Sequence, residues 1–363
     1  MRIAVDAREL QGKPTGVGRY LAEILAAWKE LPAAHAHEVI LLGPDMPSAS
    51  PHVASGLSRK RNGGTRWEQL TLPGLVRSAR ADVLFAPAYT GPLRCPVPMV
   101  LTVHDVSFAA HPEWFRWREG LRRRMLTRLS ARRASRVLTV SEFSKREIVR
   151  GLGIDPARIE VIYSGVTSLT SVGRAQQGSR HIDENLILYV GSIFNRRHIP
   201  ELIDGFARLA RRRSDVRLEI VGDNRTTPPI AVEALVQATG VADRIRVRPY
   251  VPDEELGSLY TRAGAFAFLS EYEGFGLPPL EALGAGIPIV VLDTPVAREI
   301  YGDAGLYVDR PDPARIEASL ERALFDAPTR ERVLGAAAAL LPRYKWRDCA
   351  AKVLHALETA GRP

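Results

Sequence analysis

A chain of 363 residues, 45% hydrophobic and 25% charged, has the composition of a soluble globular protein and the length of two domains. No run approaches the ~20 apolar residues that cross a bilayer, and two distant cysteines, Cys95 and Cys349, exclude a disulfide scaffold or cysteine-zinc site and suit a reducing cytosol. A net charge of +9, carried by 44 arginines and six lysines, favours anionic partners such as phosphorylated substrates, membrane surfaces or nucleic acid without choosing among them.

The opening MRIAVDAREL begins directly on a strand, so no leader is expected. Apolar, β-branched runs follow at 3–5, 39–42, 83–85, 99–103, 137–140 and 159–162. A second series occupies 186–190, 218–221, 245–247, 265–269, 287–292 and 305–308. Helical patterns at 20–31, 118–135, 199–212 and 255–263 lie between them. Strand and helix alternating in this way predict parallel sheets covered on both faces. Two such series exceed one doubly wound sheet and predict an α/β protein of two Rossmann-like domains, their sheets facing across a cleft. The polar, Gly- and Ser-rich stretch TSLTSVGRAQQGSRHIDEN has no periodicity. It sets a first domain at 1–170, a linker at 171–184 and a second domain at 185–345, with a last helix at 346–363.

Ligands of open α/β sheets bind beyond the carboxyl ends of the strands. Four segments fall there: GKPTGVGRY with Gly16, the pair His104–Asp105, GSIFNRRH with Arg196 and Arg197, and the stretch from 271 reading EYEGFGLPPLEALGAGIPIV. In the last, seven residues separate Glu273 from Glu281. Gly274 and Gly276 permit a tight corner, and Pro278 and Pro279 suit the first turn of a helix running to about 283. The first glutamate is thus expected on a loop and the second within a helix, whose N-terminus suits a phosphate. Plainer readings exist for each feature. The glutamates could be solvated charges near a helix start, His104 a satisfied buried histidine, and the arginines ordinary surface charge. Asp105 fits a site or a strand-end cap equally.

The segment EGFGLPPLE, with TGVGRY, VSEFSKREI, VGSIFNRRHIPELIDGF and YVPDEELGSLY in the same order, resembles glycosyltransferase family four over nearly the whole chain. Its members are retaining enzymes of the GT-B fold that use nucleotide-sugar donors. The resemblance implies that Glu273 contacts the donor sugar and that Glu281 holds the ribose hydroxyls. It places the backbone of Gly274, Phe275, Gly276 and Leu277 against sugar and diphosphate, and Arg196 and Arg197 on the leaving diphosphate. It sets His104 beside the sugar and gives the diphosphate close access to backbone at Gly16. Two positions depart from the family pattern: Arg197 stands for its lysine and His198 for the asparagine that follows. The resemblance implies no metal and no cofactor beyond the donor, with GDP-mannose as first choice and UDP- or dTDP-sugars as alternatives. The acceptor is a saccharide or lipid-linked saccharide, and the place of work is the cytoplasm or the inner face of the membrane.

Residues 114–136 carry nine arginines and one acid, Glu119. Trp114, Trp117, Leu121 and Met125 share a helical stripe, but Arg128 and Arg132 fall on it too. A solvated basic helix and a membrane-contacting one both fit. Three rival functions compete with this one. A nucleotide-sugar epimerase lacks an evident acid/base cluster here. A nucleic-acid binder would interleave aromatics with its arginines, and aromatic content is 7%. A non-catalytic sugar-nucleotide sensor shares the fold and differs only in turnover.

Overall fold

The computed structural model describes residues 1–11, 16–44, 64–167 and 183–362. The first four residues of GKPTGVGRY, nearly all of the expected linker and residues 45–63 lie outside them. The chain divides into two compact units, Met1–Gly165 with Tyr344–Pro363, and Val166–Arg343.

The first unit holds β1 (Arg2–Asp6), β2 (Glu38–Leu42), β3 (Val83–Ala86), β4 (Met99–Thr102), β5 (Arg136–Thr139) and β6 (Ile159–Val161). All are parallel, in the order β2-β1-β3-β4-β5-β6. Helices α1 (Gly16–Glu30), α2 (Leu72–Ser78), α3 (Ser107–Ala110), α4 (Trp117–Arg133) and α5 (Glu142–Leu152) connect them. Strands β3 and β4 are buried at every position, which is why they read as unbroken apolar runs. Local chemistry sets the ends of α5. The Ser141 hydroxyl accepts from the Ser144 N–H at the start, and Gly153, at φ +62°, closes the other end.

The second unit repeats the scheme with β7 (Asp183–Val190), β8 (Arg217–Val221), β9 (Ile245–Arg248), β10 (Ala263–Phe268), β11 (Ile289–Leu292) and β12 (Gly305–Val308). Their order is β12-β11-β10-β7-β8-β9, again all parallel. Its helices are α6 (Ile199–Arg212), α7 (Val232–Ala238), α8 (Asp253–Arg262), α9 (Leu277–Gly284), α10 (Pro295–Tyr301), α11 (Pro313–Phe325) and α12 (Ala327–Leu340). Strand β7 begins at Asp183, inside the span read as linker. Chain direction across the sheet reverses between β7 and β10, so the loops following these two strands flank the switch point where an open α/β sheet leaves a crevice. Stacked rings of Tyr189, Phe268, Phe266 and Tyr260 fill the core beneath it.

The last helix, α13 (Trp346–Gly361), returns to the first unit. It buries Cys349, Ala350, Val353, Leu354, Ala356 and Leu357, and Trp28 of α1 donates its indole N–H to the Ala350 carbonyl at 2.9 Å. A Cβ at Gly165 would lie 2.2 Å from the Trp346 backbone nitrogen. Only glycine permits that approach.

Candidate active site

The second unit's site is built on the two loops at the switch point. After β7 the chain turns at Gly191, at φ +144°, where a Cβ would sit 2.6 Å from a guanidinium nitrogen of Arg197. The missing side chain lets Arg197 fold back onto the backbone, where its Nη1 donates to the Ser192 carbonyl at 2.8 Å. Its Nε and Nη2 both donate to Oε1 of Glu273, at 3.0 and 2.8 Å. The guanidinium lies 4.8 Å from the Phe268 ring centroid and 5.4 Å from that of Phe194. Burial works against its charge, but Glu273 and Tyr189 outweigh it and hold the Arg197 pKa above the ordinary arginine value. Ser270 Oγ donates to the same carboxylate oxygen at 2.8 Å. Glu273 Oε2 takes part in none of these bonds. With 18% of its side chain exposed, this carboxylate is ordered yet reachable.

Arg196 lies over the Phe194 ring at 4.4 Å and donates Nε to the Tyr272 carbonyl at 3.3 Å. Its own carbonyl accepts from the Glu271 N–H at 2.9 Å, so backbone hydrogen bonding joins the two loops. His198, left-handed at φ +49°, brings Nε2 to 2.8 Å from Glu271 and Nδ1 to 3.4 Å from Glu201. Burial opposes its protonation, but the two carboxylates prevail and raise its pKa.

Gly276 adopts φ +90° and leads into α9, whose N-terminus no side chain caps. The Tyr301 hydroxyl donates to the Gly276 carbonyl at 3.0 Å, and a Cβ on Gly276 would lie 2.0 Å from that hydroxyl. Pro278 and Pro279 take the first turn, after Leu277. Glu281 sits inside α9 at 4% exposure, one oxygen accepting from Tyr260 Oη at 3.2 Å. A shallow recess lined by Ser270, Glu273, Phe275, Thr294 and Tyr301 opens at this corner. The structure therefore brings Arg196, Arg197, Glu273 and the Gly274–Leu277 corner together, and buries Glu281 in the helix behind them.

The first unit carries His104, Asp105 and Gly16. His104 follows β4, edge-on to Tyr20 at 4.8 Å, with Nε2 2.8 Å from the Pro87 carbonyl. A carbonyl only accepts, so Nε2 bears the proton of the neutral ring and Nδ1 keeps the lone pair. Burial lowers its pKa, which favours that neutral form. Thr139 and Ser144 fix this segment by donating to the carbonyls of Val103 and His104 at 2.8 and 2.9 Å. Asp105 accepts from the Ser107 N–H and the Tyr89 hydroxyl, each at 2.8 Å, the first of these bonds closing an Asx turn that leads into α3. Gly16 opens α1, and a Cβ there would meet no described atom within 4 Å.

Sequence reasoning overlooked one cluster. Arg8, just past β1, bridges Asp6 and Glu68, with 2.6 Å contacts to both. The two acids are 2% exposed, and Thr90 donates to Glu68 at 2.7 Å. Burial raises the Asp6 pKa and Arg8 opposes it. This knot ties the chain leaving β1 to the segment ahead of α2. Asp6 at the end of an apolar strand was its one visible signal.

Two family models divide the chain between them. Residues 14–168 match the one described as Glycosyltransferase Family 4, and residues 174–339 the one described as Glycosyl transferases group 1. The O-antigen chain mannosyltransferase B of Escherichia coli is 30% identical over 264 residues, 71% of this chain and 69% of that protein. An MMP alpha-(1->4)-mannosyltransferase of Mycolicibacterium hassiacum is 29% identical over 280 residues, 72% of this chain and 66% of its own length. Among solved structures, WaaG, a glycosyltransferase involved in lipopolysaccharide biosynthesis, superposes with a TM-score of 0.73 at 19% identity, covering 98% of this chain and 99% of that one. Anabaena HepE, in complex with UDP and glucose, gives 0.69 at 19% identity, over 99% of this chain and all of that one.

Proposed function

Because this chain belongs to glycosyltransferase family 4, with its two-domain α/β GT-B fold, we propose that it moves mannose from GDP-mannose to a saccharide or lipid-linked saccharide, forming an α linkage with retention. The observation that carries the chemistry is the pairing of Arg197 with Glu273 at the switch point of the second sheet. Cleaving the bond between the anomeric carbon and the phosphate oxygen sends its electron pair to the departing diphosphate. Arg196, Arg197 and the uncapped N-terminus of α9 supply fixed positive charge for that group. Glu273, with Oε2 outside its internal bonds, accepts from donor-sugar hydroxyls and faces the oxocarbenium character at the anomeric carbon. Backbone around Gly274–Leu277 lies along the sugar and diphosphate, and Glu281 holds the ribose.

In the first unit, neutral His104 stands beside the sugar, and Gly16 leaves backbone open to the diphosphate. The acceptor hydroxyl attacks from the face the diphosphate leaves, and its proton passes to the departing phosphate oxygen. The protein therefore needs neither a nucleophile nor a metal of its own. The two glutamates are not a glycosidase pair. Work on a lipid-linked acceptor places the protein at the cytoplasmic face of a membrane. Attachment at a surface is the mode we propose; no helix among the described residues is long and apolar enough to cross a membrane.

A thermal-shift panel of GDP, UDP, ADP and dTDP, each with a chelator, tests the reading. Ligand at 100 times its Kd stabilises by about 2.7 kcal/mol. A shift with GDP alone supports the donor and the metal-free site together. A shift with UDP alone discards the donor and keeps the enzyme. Binding with no transfer to any acceptor leaves a sugar-nucleotide sensor, and no shift at all removes the proposal.

A further inference from the structure

Helix α4 (Trp117–Arg133) is built inside out. The residues it buries are small: Gly120, Thr127, Ser130 and Ala131. Ser130 reaches inward and donates to the Gly91 carbonyl at 3.0 Å. Its large apolar residues point the other way, with Trp117 71% exposed, Leu121 56%, Met125 52% and Leu129 38%. They recur every fourth position and so run along one side of the helix. Only Leu70 and Tyr250 join them as exposed large hydrophobics among the described residues. A helix folding for the unit's own core would turn these side chains inward.

The charge on the same face identifies what covers it. Arg118, Arg122, Arg128, Arg132 and Arg133 are exposed beside or between the apolar residues. Across 114–136 there are nine arginines against Glu119, and Glu119 is occupied by Arg123 at 2.7 Å. Arg128 and Arg132 interrupt the stripe as a sequence pattern, but Leu129 extends it between them. Long arginine side chains can lay their methylenes along an apolar surface and lift the guanidinium to its edge. A protein partner that buried this face would bury five cations and need a matching set of acids. A bilayer interface takes the apolar residues into its acyl boundary and keeps the guanidiniums at phosphate level.

We propose that the exposed face of α4 is the docking surface for an anionic phospholipid bilayer, with Trp117, Leu121, Met125 and Leu129 inserted and the arginines on the headgroup phosphates. This deepens the functional reading by naming the surface on which a membrane-borne acceptor is met. It is tested separately from donor binding.

The full chain is floated with vesicles of phosphatidylcholine alone and of phosphatidylcholine with 30% phosphatidylglycerol. Anionic vesicles are expected to carry the protein and neutral ones to leave it behind, with binding falling as salt rises. The variant Trp117→Ser, Leu121→Ser, Met125→Ser is expected to lower partitioning about tenfold or more. Arg122→Glu, Arg128→Glu, Arg132→Glu should abolish it. Both variants alter exposed side chains, and an unchanged melting transition checks that each is folded. No binding to anionic vesicles, or equal binding by either folded variant, overturns the proposal. So does a wild-type dimer in solution that the apolar variant dissolves, because a second copy would then cover the face. Vesicle binding with no nucleotide-induced thermal shift would leave the docking surface standing and remove the donor reading instead.

Discussion

Arg197→Met is the sharpest test of the site, because it separates what the Arg197–Glu273 pair does for folding from what it does for transfer. The closest approach is 2.8 Å, with side chains 11% and 18% exposed. At that distance and an effective dielectric of about 20, the gross Coulomb attraction is ~6 kcal/mol. Desolvation consumes much of it, and removing one partner of a fully buried pair costs about 3–5 kcal/mol. The residual exposure of both groups places the expected loss at about 2–3 kcal/mol. For a unit of this size that lowers the melting transition by roughly 5–10 °C. Methionine fills the slot between Phe194 and Phe268 but leaves Glu273, among the described residues, with the Ser270 hydroxyl as side-chain donor. The double variant Arg197→Met, Glu273→Gln removes the orphaned charge and should recover at least half of the lost stability. Transfer should not recover. Loss of a fixed cation at the leaving group costs about 10²–10³ in kcat, and both variants should fall by at least that much. Melting curves and nucleoside diphosphate release measure the two effects independently. An Arg197→Met protein that melts within 1 °C of the parent and turns over at its rate would refute the reasoning at both levels.

Three further outcomes follow from particular contacts. His198 has a raised pKa in the folded state, so its contribution is complete below the unfolded value of about 6.5 and is lost as pH rises through the folded value. The melting temperature should therefore fall as pH rises above about 6.5 more steeply in the parent than in His198→Asn; identical slopes would dismiss the ion pairs. Gly276→Ala must move the Tyr301 hydroxyl and hold alanine at φ +90°, at a cost of about 2–3 kcal/mol. Adding Tyr301→Phe should return part of that, and no recovery would mean that backbone strain alone sets the cost. Glu281→Gln should weaken GDP binding about tenfold by removing a charged acceptor, yet leave affinity for 2′-deoxy-GDP nearly unchanged. Equal weakening of both nucleotides would take Glu281 off the ribose and leave it a core residue bonded to Tyr260.

Each strand among the described residues was legible as a short apolar run; the central strands, such as β3 and β4, are buried at every position, and the alternation with helices implies the sheet type. The Glu273–Glu281 corner was legible because glycine and proline state the local backbone directly. Contacts that hold these pieces in place were not legible. Arg8 meets Glu68 sixty positions away, Ser144 reaches His104 across forty and Tyr301 reaches Gly276 across twenty-five. No local periodicity encodes such pairs; the fold creates them. The return of α13 to the first unit was hidden for the same reason, since an amphipathic helix shows that it has a face and not what the face meets. In α4 the pattern was visible and its direction was not. Small residues at 120, 127, 130 and 131 were the sign that its large residues face away from the core.

The two departures from the family pattern have one physical consequence. A lysine at 197 would offer a point charge on a flexible stem, whereas the arginine's planar fork engages Ser192 and Glu273 at once. An asparagine at 198 would accept the left-handed backbone without adding charge, whereas His198 faces Glu271 and Glu201. Each substitution ties the turn after β7 to a carboxylate in the loop after β10, and the Glu271 N–H to Arg196 carbonyl bond ties the same loops through the backbone. On the proposed reading, both contacts hold the turn after β7 in place where charge would develop as the diphosphate departs. Fixed dipoles and charges stabilise such a group most when they need not reorganise as it leaves. Two residues that first read as exceptions to a motif are, in the folded chain, the ones that hold its positive charge still.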